Sequence, residues 1–161
     1  RYPRGRGEGL VATGPMQELT IGKAEILIQP AADDKTLKAE GIALLTLGPL
    51  GNTAAHAAQR AVKSGIPVMH ADLRYSKPLD EELLHHIGHN FSRVVTVEDG
   101  AIAGGVGSEV SRFFGTKGYA IKVDMLGIAD HFVEHGTPAE LYALCGLDEQ
   151  SIYNAITGKH Q

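Results

Sequence analysis

Residues 94–108, VVTVEDGAIAGGVGS, constrain the fold of this chain more than any other stretch. An apolar, valine-rich run over 93–97 suits a strand buried on both faces. Two acids follow, Glu98 and Asp99, and then a glycine cluster that opens a helix. Glycine turns in this position can cradle a phosphate, so the spacing matters. The dinucleotide fingerprint places its first glycine at the strand end and its third glycine three positions after the second, so that backbone N–H groups meet a pyrophosphate. Here Gly105 and Gly107 supply the first pair, but Val110 stands where the third glycine belongs. Seven residues, 98–104, also separate the strand from Gly105. Two carboxylates beside a bound phosphate would cost affinity. Spacing and charge therefore argue against a phosphate site at this turn.

The rest of the chain repeats the alternation of strand and helix. Ala24, Ile26 and Ile28 alternate as an edge strand does, and a polar loop is expected over 33–40. Residues 42–47 form a continuous apolar run, the mark of a strand covered on both faces. An alanine-rich helix follows, capped by Asn52 or Thr53, with Ala54, Ala57, Ala58, Ala61 and Val62 turned inward and Gly65 at its end. A strand over 68–73, a helix over 79–87, a helix over 108–114 and a strand over 120–126 come next. Two short helices, 138–145 and 148–156, begin at the capping residues Thr137 and Asp148. Such alternation predicts an α/β fold, a three-layer, mostly parallel sheet of about five strands with helices on both faces. The first 20 residues, with several glycines and prolines and no periodicity, predict an extended tail.

A chain of 161 residues with net charge -4 suits one domain and has no general attraction for nucleic acid or anionic membranes. No apolar run reaches membrane-spanning length and no signal-peptide pattern is present, which points to the cytoplasm. The chain opens on Arg1, as a processed chain or a fragment of a longer protein would. The single Cys145 sits in a helical pattern as a small apolar residue. Of eight histidines, His85 and His89 have the i,i+4 spacing that lets two imidazoles share a zinc ion, but no H-E-x-x-H motif accompanies them and a solvated face is expected. His131 and His135 fall in a loop before a capped helix, as interface residues would. Asp72, Arg74 and Lys77 are expected to form a polar network where a strand ends, the edge at which open α/β sheets bind ligands. Near the N-terminus, Arg4 lies between Pro3 and Gly5, a local setting suited to presenting a guanidinium to phosphate or carboxylate.

Together, RYPRG, LGPL, DLRYSKPLDEELL, VVTVEDGAIAGGVGSEV and HFVEHGTPAELYALCGLD stand in a familiar order. The chain resembles the C-terminal part of the 1-deoxy-D-xylulose 5-phosphate synthases, thiamine-diphosphate enzymes of the transketolase superfamily. Pyruvate dehydrogenase beta subunits share the strand-to-helix element but more typically carry arginine before the Pro-Leu/Met-Asp turn, where this chain has Lys77. Two departures from the synthases stand out. Ala129 replaces the usual proline before Asp130, and the segment 33–40 is longer than usual.

The resemblance implies that residues 1–20 end a preceding pyrimidine-binding domain and linker, and that 21–161 form a transketolase C-terminal-like domain. The full-length enzyme would join pyruvate, after decarboxylation, to glyceraldehyde 3-phosphate, releasing CO2 and giving the precursor of isoprenoids, thiamine and pyridoxal. Thiamine diphosphate and Mg2+ would bind in the two preceding domains, not here. Arg4 would bind the substrate phosphate. The domain itself would serve packing and homodimer formation, with Glu98, Asp99, Gly104, Gly105, Gly107, His131 and His135 as interdomain or dimer contacts and no catalytic or metal-binding residue. On this resemblance the turn at 104–108 would be a packing device, its glycines letting a helix N-terminus approach a neighbouring backbone and Glu98 and Asp99 available for hydrogen bonds at its mouth. Two other readings stay open: a free-standing regulatory or ligand-binding module using the turn at 104–108, and the C-terminal domain of a 2-oxoacid dehydrogenase beta subunit.

Overall fold

The computed structural model describes residues 14–16, 18–31 and 33–159, and its elements alternate along the chain. They are β1 (Glu25–Ile28), α1 (Asp34–Glu40), β2 (Ile42–Leu47), α2 (Gly51–Lys63), β3 (Val68–Asp72), α3 (Glu81–Asn90), β4 (Arg93–Ala101), α4 (Val106–Thr116), β5 (Lys122–Ile128), α5 (Pro138–Leu144) and α6 (Glu149–Thr157). The strands lie in the order β1-β3-β2-β4-β5. Strands β2 to β5 run parallel, and β1 pairs antiparallel with β3 at one edge.

The pleat sorts side chains between two cores. From β2, Ala43, Leu45 and Leu47 join Leu37 of α1, Leu83, Leu84 and Ile87 of α3, and Val110, Phe113 and Phe114 of α4. Ile42 and Leu44 face the other way, to Ala54, Ala57, Ala58 and Ala61 of α2 and Ile152 and Ile156 of α6. All six β2 residues are buried because both faces are covered, which is why that strand carries no polar alternation. The alanine stripe of α2 lets its backbone lie close to the sheet.

Several expectations need correction. The polar segment 33–40 is not a loop but α1, with the Asp33 carboxylate accepting from the Thr36 N–H at 2.8 Å and Leu37 as its buried anchor. Helix α2 begins without Asn52 or Thr53 as its cap. Leu50 holds that position and makes no side-chain capping bond. Val62 is 43% exposed, not inward, so the buried stripe is alanine alone. Helix α3 starts later than expected, at Glu81, because the Asp80 carboxylate caps it by accepting from the Leu83 N–H. Asp80 also accepts from the Ala24 N–H and from Lys23, tying the segment before β1 to α3. Burial would raise its pKa, but these donors win and hold it below the ordinary aspartate value.

One polar pair is buried in the sheet. The Thr46 hydroxyl lies 3.0 Å from His70 Nε2, and both residues are fully buried. Burial pushes the His70 pKa down from 6.5 to about 4, against a weaker upward pull from Asp72. The folded chain thus holds a neutral imidazole that the unfolded chain protonates below about pH 6.5. Stability from this group is complete above pH 6.5 and is lost as the pH falls toward 4, by up to about 3 kcal/mol. Urea unfolding at pH 7 and pH 4.5 should record that loss, and His70→Gln should remove most of it. An unchanged pH slope in the variant would contradict this assignment.

Candidate functional site at the carboxyl edge of the sheet

The parallel strands all end at one edge, and the turn that follows β4 is built there around a single carboxylate. Glu98 is 3% exposed. Its Oε2 accepts from the Val106 N–H at 3.1 Å and its Oε1 from the Gly107 N–H at 3.0 Å. These are free N–H groups of the first turn of α4, where the helix dipole favours negative charge. The Ser108 hydroxyl donates to the Ile102 carbonyl at 2.5 Å and closes the turn from the other side.

The glycines are explained by closeness and by backbone angle. A Cβ on Gly105 would overlap the Ala101 carbonyl oxygen and the Glu98 carboxylate, and one on Gly107 would lie 2.5 Å from the Thr96 hydroxyl. Gly104 has open space around it but a φ of +73°, in the left-handed region that favours glycine. Strand β4 is longer than expected, reaching Ala101 through a register shift after Val97 that brings Ala101 opposite Ile128. The acids thus belong to the strand and are not part of a loop beyond it.

Asp99 is half-buried and accepts a hydrogen bond from the Tyr142 hydroxyl of α5 at 3.1 Å. Burial raises the Tyr142 pKa above its ordinary value, and the Asp99 charge and this bond raise it further. Sequence reasoning missed Tyr142. Its signal was a tyrosine between Leu141 and Ala143 in an otherwise apolar helix end, whose hydroxyl needs a partner when partly buried. His131 and His135 lie exposed in the loop between β5 and α5, next to Phe132, which is fully exposed. Beside that loop, Val133, Pro138, Leu141, Tyr142 and Cys145 line an apolar cleft with Asp99 at its rim. Helix α5 itself starts with a complete capping box between Thr137 and Glu140.

The network expected at the end of β3 is present in part. The Asp72 carboxylate accepts from the Arg74 N–H at 2.9 Å, and the Arg74 guanidinium pairs with Glu25 of β1. Arg74 has φ +58°, unusual for a residue with a side chain. Lys77 makes no ion pair among the described residues. The expected phosphate ligand, Arg4, lies outside the described residues.

The arrangement does not suit a diphosphate at the glycine turn. The backbone donors that would meet it already hold Glu98, and a phosphate would have to displace a buried carboxylate. Among the described residues, no three His, Cys, Asp or Glu side chains are placed to share a metal ion.

The family model described as transketolase, C-terminal domain, matches residues 34–152. The chain belongs to the transketolase C-terminal domain family. It is 44% identical over 158 residues to the 1-deoxy-D-xylulose-5-phosphate synthase of Bacteroides fragilis, covering 98% of this chain and 23% of that protein. The synthase of Bacteroides thetaiotaomicron is 46% identical over 153 residues, 94% of this chain and 22% of its own length. The chain thus spans less than a quarter of the length of these relatives. Among solved structures, a split-gene transketolase described as an inactive beta4 tetramer superimposes with a TM-score of 0.76 at 26% identity, over 89% of this chain and 44% of that one. Transketolase from Campylobacter jejuni shares the fold, with a TM-score of 0.60 at 18% identity over 86% of this chain and 19% of its own.

Two alanine substitutions distinguish the roles of the glycines. Gly104→Ala should cost about 1 kcal/mol of unfolding free energy, from its positive φ alone. Gly105→Ala should cost about 3 kcal/mol, because the methyl group meets a fixed carbonyl and the capping carboxylate. Chemical denaturation measures both. Equal costs would contradict the close approach at Gly105.

Proposed function

We propose that this chain is the C-terminal domain of a thiamine-diphosphate-dependent 1-deoxy-D-xylulose-5-phosphate synthase, and that its own task is packing against the rest of that enzyme. The observation that carries the reading is identity of 44–46% over 94–98% of the chain to synthases more than four times its length. The whole enzyme condenses pyruvate with glyceraldehyde 3-phosphate, releasing CO2, and so supplies the precursor of isoprenoids, thiamine and pyridoxal. Thiamine diphosphate with Mg2+, held by the two preceding domains, supplies the carbanion chemistry when bound. Residues 1–20 are the end of the preceding domain and its linker, and residues 21–161 are the folded C-terminal unit.

Each part of this chain then has a defined role. Arg4 presents its guanidinium to the phosphate of glyceraldehyde 3-phosphate, a charge-assisted contact that positions the acceptor aldehyde. The carboxyl edge of the sheet carries the interface. Asp99, Gly104, His131 and His135 meet a preceding domain or the second protomer of a homodimer, while Glu98, Gly105 and Gly107 hold the turn in the shape that is met. An exposed Phe132 and an apolar cleft beside it support an interface there, since a soluble surface seldom gathers such groups without a partner. No helix among the described residues is long and apolar enough to cross a membrane. We place the enzyme in the cytoplasm.

The ligand-binding module is the weaker reading because the donors of its turn are occupied by Glu98. A 2-oxoacid dehydrogenase beta subunit is weakened by Lys77 before Pro78 and by the HGTPAELYALCGLD ending.

The chain alone should not turn over pyruvate with glyceraldehyde 3-phosphate, and turnover by the purified chain would overturn the proposal. In the full-length enzyme, Arg4→Ala should raise the KM for glyceraldehyde 3-phosphate about tenfold or more, with a much smaller effect on the KM for pyruvate. An unchanged KM for the phosphorylated substrate would remove Arg4 from the site.

A further inference from the structure

At the amino ends of the strands, polar groups are satisfied from within. The Tyr119 hydroxyl lies 2.7 Å from His85 Nδ1 and 3.1 Å from His89 Nε2, so the solvated face expected for the histidines is kept by His86 and His89, while His85 is half-buried. The loop between β5 and α5 differs. Asp130, His131, Glu134 and His135 are exposed, and none of these side chains has a hydrogen-bond or ion-pair partner among the described residues. Phe132, fully exposed, stands beside an apolar cleft that it does not enter. That cleft, lined by Val133, Pro138, Leu141, Tyr142 and Cys145, holds about 230 Å³. An apolar protein cavity of about 150 Å³ is enough to hold a benzene ring. A knob and a hole that can take it thus lie side by side on one surface.

The order of residues 130–135, Asp-His-Phe-Val-Glu-His, is complementary to its own reverse. Where two copies of the segment meet antiparallel about a two-fold axis between Phe132 and Val133, Asp130 stands opposite His135, His131 opposite Glu134, and Phe132 opposite Val133. Each carboxylate then meets an imidazole, whose N–H can donate to it from the neutral and the charged ring alike. Each Phe132 meets a Val133, which lines the cleft. We propose that residues 130–135 form a two-fold contact between two copies of this chain, with Phe132 of each copy seated in the apolar cleft of the other. A two-fold interface is self-complementary, one patch serving both sides, and aromatic side chains in desolvated pockets are the usual anchors of an interface. An unlike partner would need no such reversed match within one segment. The contact rests on the interface role proposed above for the carboxyl edge and names its partner, a second copy.

Sedimentation equilibrium of the 161-residue chain tests this. The wild-type chain should dimerise reversibly. Phe132→Ser should weaken the dimer about tenfold. Glu134→Lys sets a cation opposite His131 and should weaken the dimer as well, and adding His131→Glu should restore it by forming the pair in the opposite sense. All three positions are exposed, so the variants should fold. A wild-type chain that stays monomeric would overturn the contact and leave this face to a preceding domain. An unchanged dimer in Phe132→Ser, or no rescue by the paired substitution, would overturn it equally. None of these results bears on the assignment to the synthase, which the Arg4→Ala kinetics test separately.

Discussion

A buried carboxylate bonded to the first turn of α4 organises the carboxyl edge of this domain. Glu98 leaves β4 and accepts two N–H bonds from the helix that follows, so strand and helix are joined by charge as well as by chain. The bond fixes how closely α4 approaches the sheet, and that distance leaves no room for side chains at Gly105 and Gly107. Val106, Val110, Phe113 and Phe114 are thereby set into the core shared with α3. A motif that resembles a phosphate cradle is a cradle already filled from within.

The same geometry divides the molecule into a constrained end and an open face. At the carboxyl edge, Asp99 and Tyr142 join β4 to α5, and the loop carrying His131, Phe132 and His135 stands out from the surface. Arg93 braces the other end of β4 by pairing with Asp124 of β5 and donating to the last carbonyls of α6. The sheet is thus fastened at both ends by charged groups, while its middle is packed between two apolar cores around the buried pair Thr46 and His70. The interface proposed for the carboxyl edge would meet a preformed surface, with little ordering cost on association.

What the sequence revealed, and what it hid, follows from how far apart the interacting residues lie. Strand β2 was legible because Ile42 to Leu47 carry their burial in an unbroken run, and α2 because its alanines repeat at helical spacing. Helix α1 was not, since Leu37 is its one buried residue among those described and a single anchor makes no period. The extension of β4 to Ala101 depends on pairing with Ile128, and Glu98, Asp99 and Gly100 have no strand preference of their own. The bond from Tyr142 to Asp99 and the meeting of Tyr119 with His85 and His89 join residues separated along the chain by whole elements. Only the fold brings them together. The two acids after β4 were visible as a feature, and their hydrogen-bonding role was anticipated, but the division of labour between a buried Glu98 and an outward Asp99 required the register of the sheet.

Hydrogen exchange at the Val106 and Gly107 amides tests the internal cap most directly. In the native chain both should exchange slowly, and Glu98→Gln should speed both selectively while the amides of β2 keep their protection. Native exchange of these two amides as fast as that of the exposed turn at Gly104 would contradict the account.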